Sequence, residues 1–356
     1  MTDSLQTAPF SAPSAAEAVP QVAVLGAGAW GRHLVRAFDD LGALAGVCDA
    51  STHVAEEIRR SHPSIDLWAD LEEVLASDVA AVAVATPVPT HYAMARACLE
   101  AGKHVFVEKP LALRAADAED LVERAERSGR VLMAGHLLLY QPAIRWIKQA
   151  IDEGRLGRLF SLHQERTKLG RARAVENALW SLGVHDVAVL LYLIGAEPET
   201  AWACGHRGLQ AGVEDDVYLH LRFPGGIQAH LHNSWLWPEN RRRLTVIGEA
   251  GMLVYDESSQ TVALHQKRID PDLRNVDGGE EIVFQGSADP LRLELAHFLE
   301  CISNRARPLS DGRAGLAVVR VLESVFPIQD PGEADQRDHA ATQSPGKRAE
   351  LGQELD

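Results

Sequence analysis

The sequence of 356 residues predicts an α/β domain built on a parallel sheet, followed by an α+β domain with a mostly antiparallel open sheet. Three observations predict this order. Short Val/Ala-rich runs alternate with amphipathic segments in the first part of the chain, and a glycine turn follows the first run. From Pro142 onward, strand-like runs follow one another with a single helix between them. The first domain is therefore predicted to be a Rossmann domain.

Composition predicts four segments. With 46% hydrophobic and 24% charged residues, the chain is long enough to bury two cores. We expect a Rossmann domain at 21–140 and an α+β domain for substrate binding and oligomerisation at 141–327. The ends, 1–20 and 328–356, are rich in Ala, Ser and Pro or in polar residues, and we expect disordered tails there.

Charge and cysteine usage narrow the class of protein. A net charge of −15 gives no electrostatic footprint for nucleic acid or an anionic membrane, and no run approaches the roughly 20 apolar residues of a membrane span. The cysteines form no C-x-x-C pair, which predicts reduced thiols and a cytoplasmic protein. No spacing matches a zinc site or a triphosphate-binding loop, so we expect no metal.

The first predicted strand, Val22–Leu25, delivers the chain to a glycine turn. Glycine permits the tight turn, lets backbone approach a phosphate, and lets the following helix pack closely on the strand. The amides of that helix would then face a pyrophosphate. The residues predicted to bind cofactor here are Gly26, Gly28, Ala29, Trp30 and Gly31.

The next elements extend this motif. A helix with an apolar stripe ends at Gly42, and the strand Leu44–Cys48 leads to Asp49. The Asp49 carboxylate can accept both ribose hydroxyls of an adenosine and would repel a 2′-phosphate, and no arginine follows it until Arg59. We therefore expect NAD rather than NADP. The alternative is a structural βα unit that binds no ligand.

Alternating elements complete the first domain. They are a strand at Ala80–Ala85, a helix at Thr90–Glu100, a strand at His104–Val107, a helix at Leu113–Ser128 and a strand at Arg130–Ala134. In a parallel sheet, ligands bind beyond the carboxyl ends of the strands. The positions selected by this rule are Thr86, Pro87, Glu108, Lys109, Pro110, Gly135 and His136.

The second domain begins with a helix at Pro142–Asp152, entered through a proline that suits a first turn. Five strands and one helix follow, with short turns that predict antiparallel pairing. The strands are predicted at Leu159–Arg166, Tyr218–Phe223, Gln228–Trp235, Arg243–Ile247 and Met252–Tyr255, and the helix at Leu182–Ile194.

Taken together, several motifs resemble the Gfo/Idh/MocA oxidoreductases. They are the glycine turn, Thr86-Pro87 with His91 downstream, the run from Ala101 that ends in Glu108-Lys109-Pro110, and the helix with Trp180 to Asp186. The similarity covers Val22 to about Val325. Within the family, Arg171 to Trp180, His185-Asp186, Ser234-Trp235 and Arg242 to Gly248 resemble WlbA-type sugar-nucleotide 3-dehydrogenases. The resemblance implies that Thr86, Pro87, His91, Glu108, Lys109 and His136 line an NAD site, and that Lys109-Pro110 is cis.

Two residues have the chemistry to oxidise an alcohol. Lys109 can steady a developing alkoxide beside the nicotinamide, and His185 begins from an apolar helix with a pKa near neutrality, which suits a base. Family members often carry a carboxylate four residues before this histidine, whereas this chain has Ser181. The alternatives are a surface lysine and a structural core histidine. For His136, a position in the cofactor cleft and a purely structural role are equally open.

A basic cluster precedes the second-domain helix. Lys168, Arg171 and Arg173 can clamp a diphosphate or a sugar carboxylate, or can belong to a solvated loop. Residues after them complete the predicted substrate site, namely Asn177, Trp180, Ser181 and His185. The run Arg241-Arg242-Arg243 is interpreted as an exposed turn.

The function predicted is NAD-dependent oxidation of a sugar secondary hydroxyl, at C3 of a nucleotide-linked hexose or uronic acid. The alternatives are a non-catalytic NAD-binding regulatory protein, an NAD-dependent glycosidase and a polyol dehydrogenase. We expect a homo-oligomer formed through the second-domain sheet, as the resemblance also implies. The surface predicted for this contact contains Leu219, Leu221, Phe223, Trp235 and Trp237.

Overall fold

The structure, a computed structural model, describes residues 19–174 and 176–327, and the two predicted tails lie almost wholly outside these ranges. The first sheet is parallel and has the strand order β3-β2-β1-β4-β5-β6. Its strands are β1 Val22–Leu25, β2 Leu44–Cys48, β3 Asp66–Trp68, β4 Ala81–Val84, β5 His104–Glu108 and β6 Leu132–Gly135. Its helices are α1 Gly31–Asp40, α2 Thr52–Ser61, α3 Leu71–Ala76, α4 His91–Glu100 and α5 Ala115–Ser128.

The central strands of this sheet are apolar along their whole length. Every residue of β1 and of β4 is buried, as expected for a parallel sheet that is covered on both faces. The strand order reverses between β1 and β4, so the chain leaves these two strands in opposite directions. A crevice forms at such a reversal, beyond the carboxyl ends of the strands. The predicted Rossmann topology is confirmed.

The second sheet has eight strands in the order β14-β13-β12-β11-β7-β10-β9-β8. The first four in the chain are β7 Leu159–Leu169, β8 Thr200–His206, β9 Asp216–Arg222 and β10 Gln228–Ser234. The others are β11 Leu236–Gly248, β12 Gly251–Asp256, β13 Thr261–Ile269 and β14 Asn275–Gln285. All neighbours are antiparallel except β7 and β10, which are parallel. The predicted class, mostly antiparallel, is confirmed.

Three strands of this sheet were not predicted, and they lie toward its two edges. β8, β13 and β14 have few buried positions, so their sequences lack the apolar alternation that marks a half-buried strand. The interpretation of Arg241-Arg242-Arg243 as an exposed turn is also wrong. These residues belong to β11, which begins at Leu236 and pairs with β7.

Four more helices complete the described chain, namely α6 Pro142–Asp152, α7 Val184–Ile194, α8 Pro290–Asn304 and α9 Gly312–Val325. A π-helical turn, Leu179–Gly183, leads directly into α7. α7 packs against the inner face of the second sheet, whereas α8 contacts α1 and α9 contacts α5 and β6. The last two helices therefore return to the Rossmann layers.

The surface predicted for oligomer contact is wrong. Leu219, Leu221, Phe223 and Trp235 are at most 2% exposed, because they point to the inner face that the helices cover. Only Trp237 among the predicted residues is partly exposed. The outer face instead presents Trp202 and Tyr218, together with the histidines His163, His220 and His230, and Tyr218 stacks on the buried ring of His232.

Candidate active site

The glycine turn after β1 forms an open cradle in front of α1. Gly26 has a φ of +85°, and a Cβ on Gly31 would lie 1.9 Å from the Gly26 carbonyl oxygen, so both positions require glycine. Gly28 faces open space, with no heavy atom within 4 Å of where a Cβ would stand. Ala29 and Trp30 are exposed beside it. Open space before a helix N-terminus fits the pyrophosphate of a dinucleotide.

Asp49 lies at the carboxyl end of β2, next to this cradle. Its Oδ2 accepts a hydrogen bond of 2.7 Å from the Ala27 amide, and its Oδ1 accepts one of 2.8 Å from the Ser51 amide. These bonds fix the carboxylate at the edge of the turn, and each oxygen keeps a further lone pair. The position therefore fits the predicted contact with ribose hydroxyls.

A cavity of about 1050 Å³ opens beside the cradle, between the strand ends of the first sheet and the inner face of the second. Eleven of the predicted site residues line it: Trp30, Thr86, Pro87, His91, Glu108, Lys109, Lys168, Arg171, Arg173, Ser181 and His185. The rule that ligands bind beyond the carboxyl ends of parallel strands thus located residues of one wall. The motifs of the second domain located residues of the facing wall.

Lys109 follows β5 directly and enters the cavity through a cis peptide bond to Pro110, as predicted. Its Nζ donates a hydrogen bond of 3.0 Å to the main-chain carbonyl of Ser181, in the π-helical turn. Burial lowers the pKa of Lys109, although the carboxylate of Glu108 opposes this change. The amine is thereby held at the junction of the two domains, with two remaining donors when protonated.

Glu108 is the last residue of β5 and is 6% exposed. Its Oε1 accepts a hydrogen bond from the indole Nε1 of Trp30, in the glycine turn. Burial raises the pKa of Glu108 to about 7, against the opposing effects of the Trp30 hydrogen bond and of Lys109. This carboxyl therefore links the glycine turn, through the Trp30 hydrogen bond, to the segment that carries Lys109.

His185 lies in the first turn of α7 and lines the same cavity as Lys109. Burial lowers the pKa of His185 well below its usual value, and the charges of Lys109 and Arg166 act in the same direction. The imidazole is therefore neutral near pH 7 and able to accept a proton. The hydroxyl of Ser181 donates to the carbonyl of Ala178 at 3.5 Å, so it contacts main chain rather than the imidazole.

Beneath His185 lies a buried charge network that the sequence did not reveal. Arg166 donates to Asp186 at 2.8 Å and to Glu257 at 2.9 Å, and Arg242 donates to Glu257 at 2.9 Å. Asn233 donates to the second oxygen of Asp186 at 2.7 Å. Because Arg166, Arg242 and Asn233 are register neighbours on β7, β11 and β10, the pairing of strands brings them together.

This network contributes charged groups to the cavity wall. Arg166, Arg242 and Glu257 all line the cavity, beside the predicted basic cluster of the loop after β7. Burial opposes the charge of Arg166, yet Asp186 and Glu257 outweigh it and raise the pKa of the guanidinium further. The wall that faces Lys109 is therefore permanently cationic at several positions.

Three predicted site residues lie away from both the cavity and the glycine cradle. Asn177 is buried, where its Nδ2 donates to Glu214 and its Oδ1 accepts from the Trp180 amide. Trp180 is 1% exposed, and its indole donates to the carbonyl of Phe326. His136 is 1% exposed and lines a separate, smaller cavity. The first two hold the start of α7 in place, and the spacing near a basic loop misled the sequence interpretation.

His91 holds the two strand-end segments together. Its Nδ1 lies 2.9 Å from the carbonyl oxygen of Pro110, and its Nε2 lies 2.9 Å from that of Thr86. A neutral imidazole donates to one of these carbonyls only. The ring thus fixes the spacing between the segments that follow β4 and β5.

Comparison with known proteins agrees with this geometry. Residues 21–136 match the model for the oxidoreductase family with an NAD-binding Rossmann fold, and residues 144–254 match the GFO/IDH/MocA C-terminal domain. The chain belongs to the Gfo/Idh/MocA oxidoreductase family. It is therefore an oxidoreductase with an NAD-binding N-terminal domain, and the resemblance seen in the sequence is confirmed.

Relatives within the Gfo/Idh/MocA family act on several compounds. A UDP-N-acetylglucosamine 3-dehydrogenase from Acidithiobacillus ferrooxidans is 29% identical over 87% of this chain and 96% of its own length. The 1,5-anhydro-D-fructose reductase from Ensifer adhaerens is 31% identical over 68% of this chain and 77% of its own.

Solved structures of the Gfo/Idh/MocA family share the whole architecture. The A. ferrooxidans 3-dehydrogenase GnnA superimposes with a TM-score of 0.79 at 27% identity, covering 87% of this chain and 97% of that one. The WlbA dehydrogenase from Bordetella pertussis, in complex with NADH and UDP-GlcNAcA, gives 0.73 at 20% identity, over 87% and 96%. The second likeness concerns the fold alone.

No helix in residues 19–174 and 176–327 is long and apolar enough to cross a membrane. The same ranges hold no group of three His, Cys, Asp or Glu side chains arranged to bind a metal ion. All four cysteines lie within these ranges and are free thiols.

Proposed function

We propose that this protein oxidises a secondary hydroxyl, at C3 of a nucleotide-linked hexose or uronic acid, with NAD as the hydride acceptor. The observation that carries the proposal is the common cavity of Lys109 and His185, which adjoins the glycine cradle. The 3-dehydrogenase relative, which matches nearly the whole chain, supports the choice of reaction.

The two residues divide the work of removing a proton. NAD, when bound at the cradle, supplies the acceptor for the hydride. His185, neutral because of burial, accepts the hydroxyl proton at its cavity side. The Lys109 ammonium, held by the carbonyl of Ser181, donates to the oxygen as negative charge develops on it.

Cationic residues at the far wall support a nucleotide-linked substrate. Lys168, Arg171, Arg173 and Arg242 line the cavity opposite Lys109. Arginine offers parallel donors that match a diphosphate or a carboxylate. The cavity of about 1050 Å³ is at the upper end of the usual range for ligand sites, so it has room for a large substrate beside the cofactor.

The preference for NAD over NADP follows from Asp49. Its carboxylate is fixed by the amides of Ala27 and Ser51, and a 2′-phosphate placed there would meet a negative charge. The nearby guanidinium of Arg32 is already paired with Glu57, which reduces its capacity to bind such a phosphate.

The test is a substrate screen with purified protein and NAD. UDP-linked hexoses, UDP-linked uronic acids and free polyols are added singly, and absorbance of the reduced cofactor is followed. Net NADH with a sugar nucleotide is the expected result, with oxidation at C3 identified from the product. NADH with polyols only would make it a polyol dehydrogenase. Product without net NADH would indicate transient oxidation by a glycosidase, and no reaction would indicate a regulatory NAD-binding protein.

Assembly and compartment belong to the same proposal. We infer a homo-oligomer formed through the outer face of the second sheet, where Trp202 is 61% and Tyr218 is 43% exposed. A monomeric mass by light scattering at micromolar concentration would contradict it. The free thiols support work in a reducing cytoplasm.

A further inference from the structure

A second cavity, of about 290 Å³, lies behind His185 between α7, α9 and the turn after β6. It shares no lining residue with the larger cavity. Its walls are mostly aliphatic, and His136 is the histidine among them. Its rim contains Gly195 and Glu197, both exposed, where α7 ends. We name this space the rear cavity.

His136 is an unusual wall for an aliphatic cavity. The side chain is 1% exposed, and neither ring nitrogen has a hydrogen-bond partner among the described residues. A neutral imidazole always carries one N–H and one lone pair, and burying both without partners is costly. A buried polar group of this kind is explained where a water molecule or a transferred proton supplies the missing hydrogen bond.

His185 has a matching orphan atom. Its Nδ1 is buried and, within the described ranges, unpartnered, although its ring lines the larger cavity. The ring planes of His185 and His136 are nearly perpendicular, at 84°, with centroids 6.5 Å apart. Since each ring nitrogen lies about 1.2 Å from its centroid, two nitrogens of this pair can come no closer than about 4 Å, which is too long for a direct hydrogen bond and leaves room for a bridging water.

The proposed reaction leaves a proton on His185 that must reach solvent. In the proposed function, the cavity-facing nitrogen of the imidazole, Nε2, is occupied by the substrate hydroxyl. Ser181 stands where a carboxylate would hold the Nδ1 proton, and its hydroxyl contacts main chain instead. His136 stands directly beside the ring, and both of its nitrogens lack a hydrogen-bond partner among the described residues.

We propose that His136 relays this proton from His185, through one water, to the rear cavity. This inference rests on the proposed function, in which His185 accepts the hydroxyl proton at Nε2. Nδ1–H of His185 then donates to the water, the water donates to one nitrogen of His136, and the other nitrogen of His136 releases its proton to solvent. Both rings stay neutral and exchange tautomers, and they reset when the larger cavity reopens to water.

The C-terminal end of α7, at the rim of the rear cavity, favours release of the proton there. α7 ends at Ile194, and the unpaired carbonyls of a last helical turn carry partial negative charge. The half-buried Tyr192 and the exposed Glu197 line the rear cavity at this end of α7, and with His136 they are the polar side chains of an otherwise aliphatic space. His136 touches neither substrate nor cofactor in this scheme and acts through His185.

The experiment compares hydride and proton kinetics in three variants with the best substrate from the screen. His136→Ala removes the relay, and we expect turnover to fall at least tenfold, with KM for NAD unchanged. Imidazole in the buffer should enter the enlarged rear cavity and restore turnover. Leu191→Ala, which also enlarges the rear cavity but leaves His136 intact, is the control and should not respond to imidazole.

Ala317→Phe places an aromatic ring in the rear cavity and leaves both histidines in the chain. In this variant a pH-indicator dye should report proton release that lags NADH formation, and the solvent deuterium isotope effect should rise. In the wild type the two signals should coincide. This variant keeps the test decisive if His136→Ala does not fold.

Two outcomes overturn the proposal in distinguishable ways. Wild-type turnover in Ala317→Phe, with no response of His136→Ala to imidazole, would remove the relay and leave the proposed function standing. No NADH from the wild type with any sugar would remove both.

Discussion

The two walls of the active site are built in different ways. The first-sheet wall consists of a glycine turn and strand ends, in which Gly28, Glu108 and Lys109 take their places from the local chain direction. The second-sheet wall consists of buried charges, Arg166, Asp186 and others, that meet only because distant strands pair. Substitutions in the first wall should therefore change activity, whereas substitutions in the second wall should change stability as well as activity.

The largest expected effect tests the second wall. Arg166→Met leaves Asp186, which is fully buried, without its guanidinium, and breaking one side of a buried ion pair costs about 3–5 kcal/mol. Denaturant unfolding measures this loss. Arg313→Met, which removes an exposed pair with Glu126, is the control and should change stability far less, because solvent screens this pair. Equal losses of stability in the two variants would contradict the proposed difference between the walls.

Lys109→Ala tests the first wall. We expect turnover to fall by a factor on the order of 10² or more, while NAD affinity stays nearly the same. Stability should not fall, because the pKa of Lys109 is lowered by burial and its removal relieves that cost. Steady-state kinetics, cofactor titration and thermal unfolding give the three readouts. Unchanged turnover would remove Lys109 from the mechanism.

Glu108→Gln tests the first wall through the pH dependence of protein stability. The folded-state pKa of Glu108 is raised to about 7 by burial, so its contribution to stability is present below the unfolded value and is lost as pH rises toward 7. Between about pH 4.5 and 7 this loss approaches about 1.4 kcal/mol per pH unit. The glutamine variant does not titrate, so its stability relative to wild type should grow with pH in unfolding experiments. A constant difference would contradict the raised pKa.

Gly28→Ala should have the smallest effect. A Cβ at this position meets no protein atom within 4 Å, so the free energy of unfolding should hardly change. The methyl group instead points into the space that fits the pyrophosphate, and we expect NAD to bind about tenfold more weakly. Isothermal titration measures the affinity. Loss of stability without loss of affinity would reverse the assignment of this glycine.

Local patterns predicted most of the fold, the first wall, and those residues of the second wall that lie in the loop after β7 and at the start of α7. The glycine turn, Asp49 and Lys109 sit at strand ends, so a rule about one segment at a time located them. Arg242 was misread as a turn residue because its role depends on pairing with β7, which no spacing reveals. The sequence could not predict that Asn177 and Trp180 lie outside the cavity, because their burial depends on the packing of the whole chain.

The parallel pairing of β7 with β10 has an evolutionary consequence. These strands are fixed side by side by their own ladder, and because they run parallel, the chain leaves the end of β7 and crosses over through the following loop, α7, β8 and β9 to the start of β10. Changes of length or sequence in that loop can alter which molecules are accepted, without moving the strand that ends in Lys109. Such modular variation would let one scaffold acquire new specificities while the bond-breaking step stays the same.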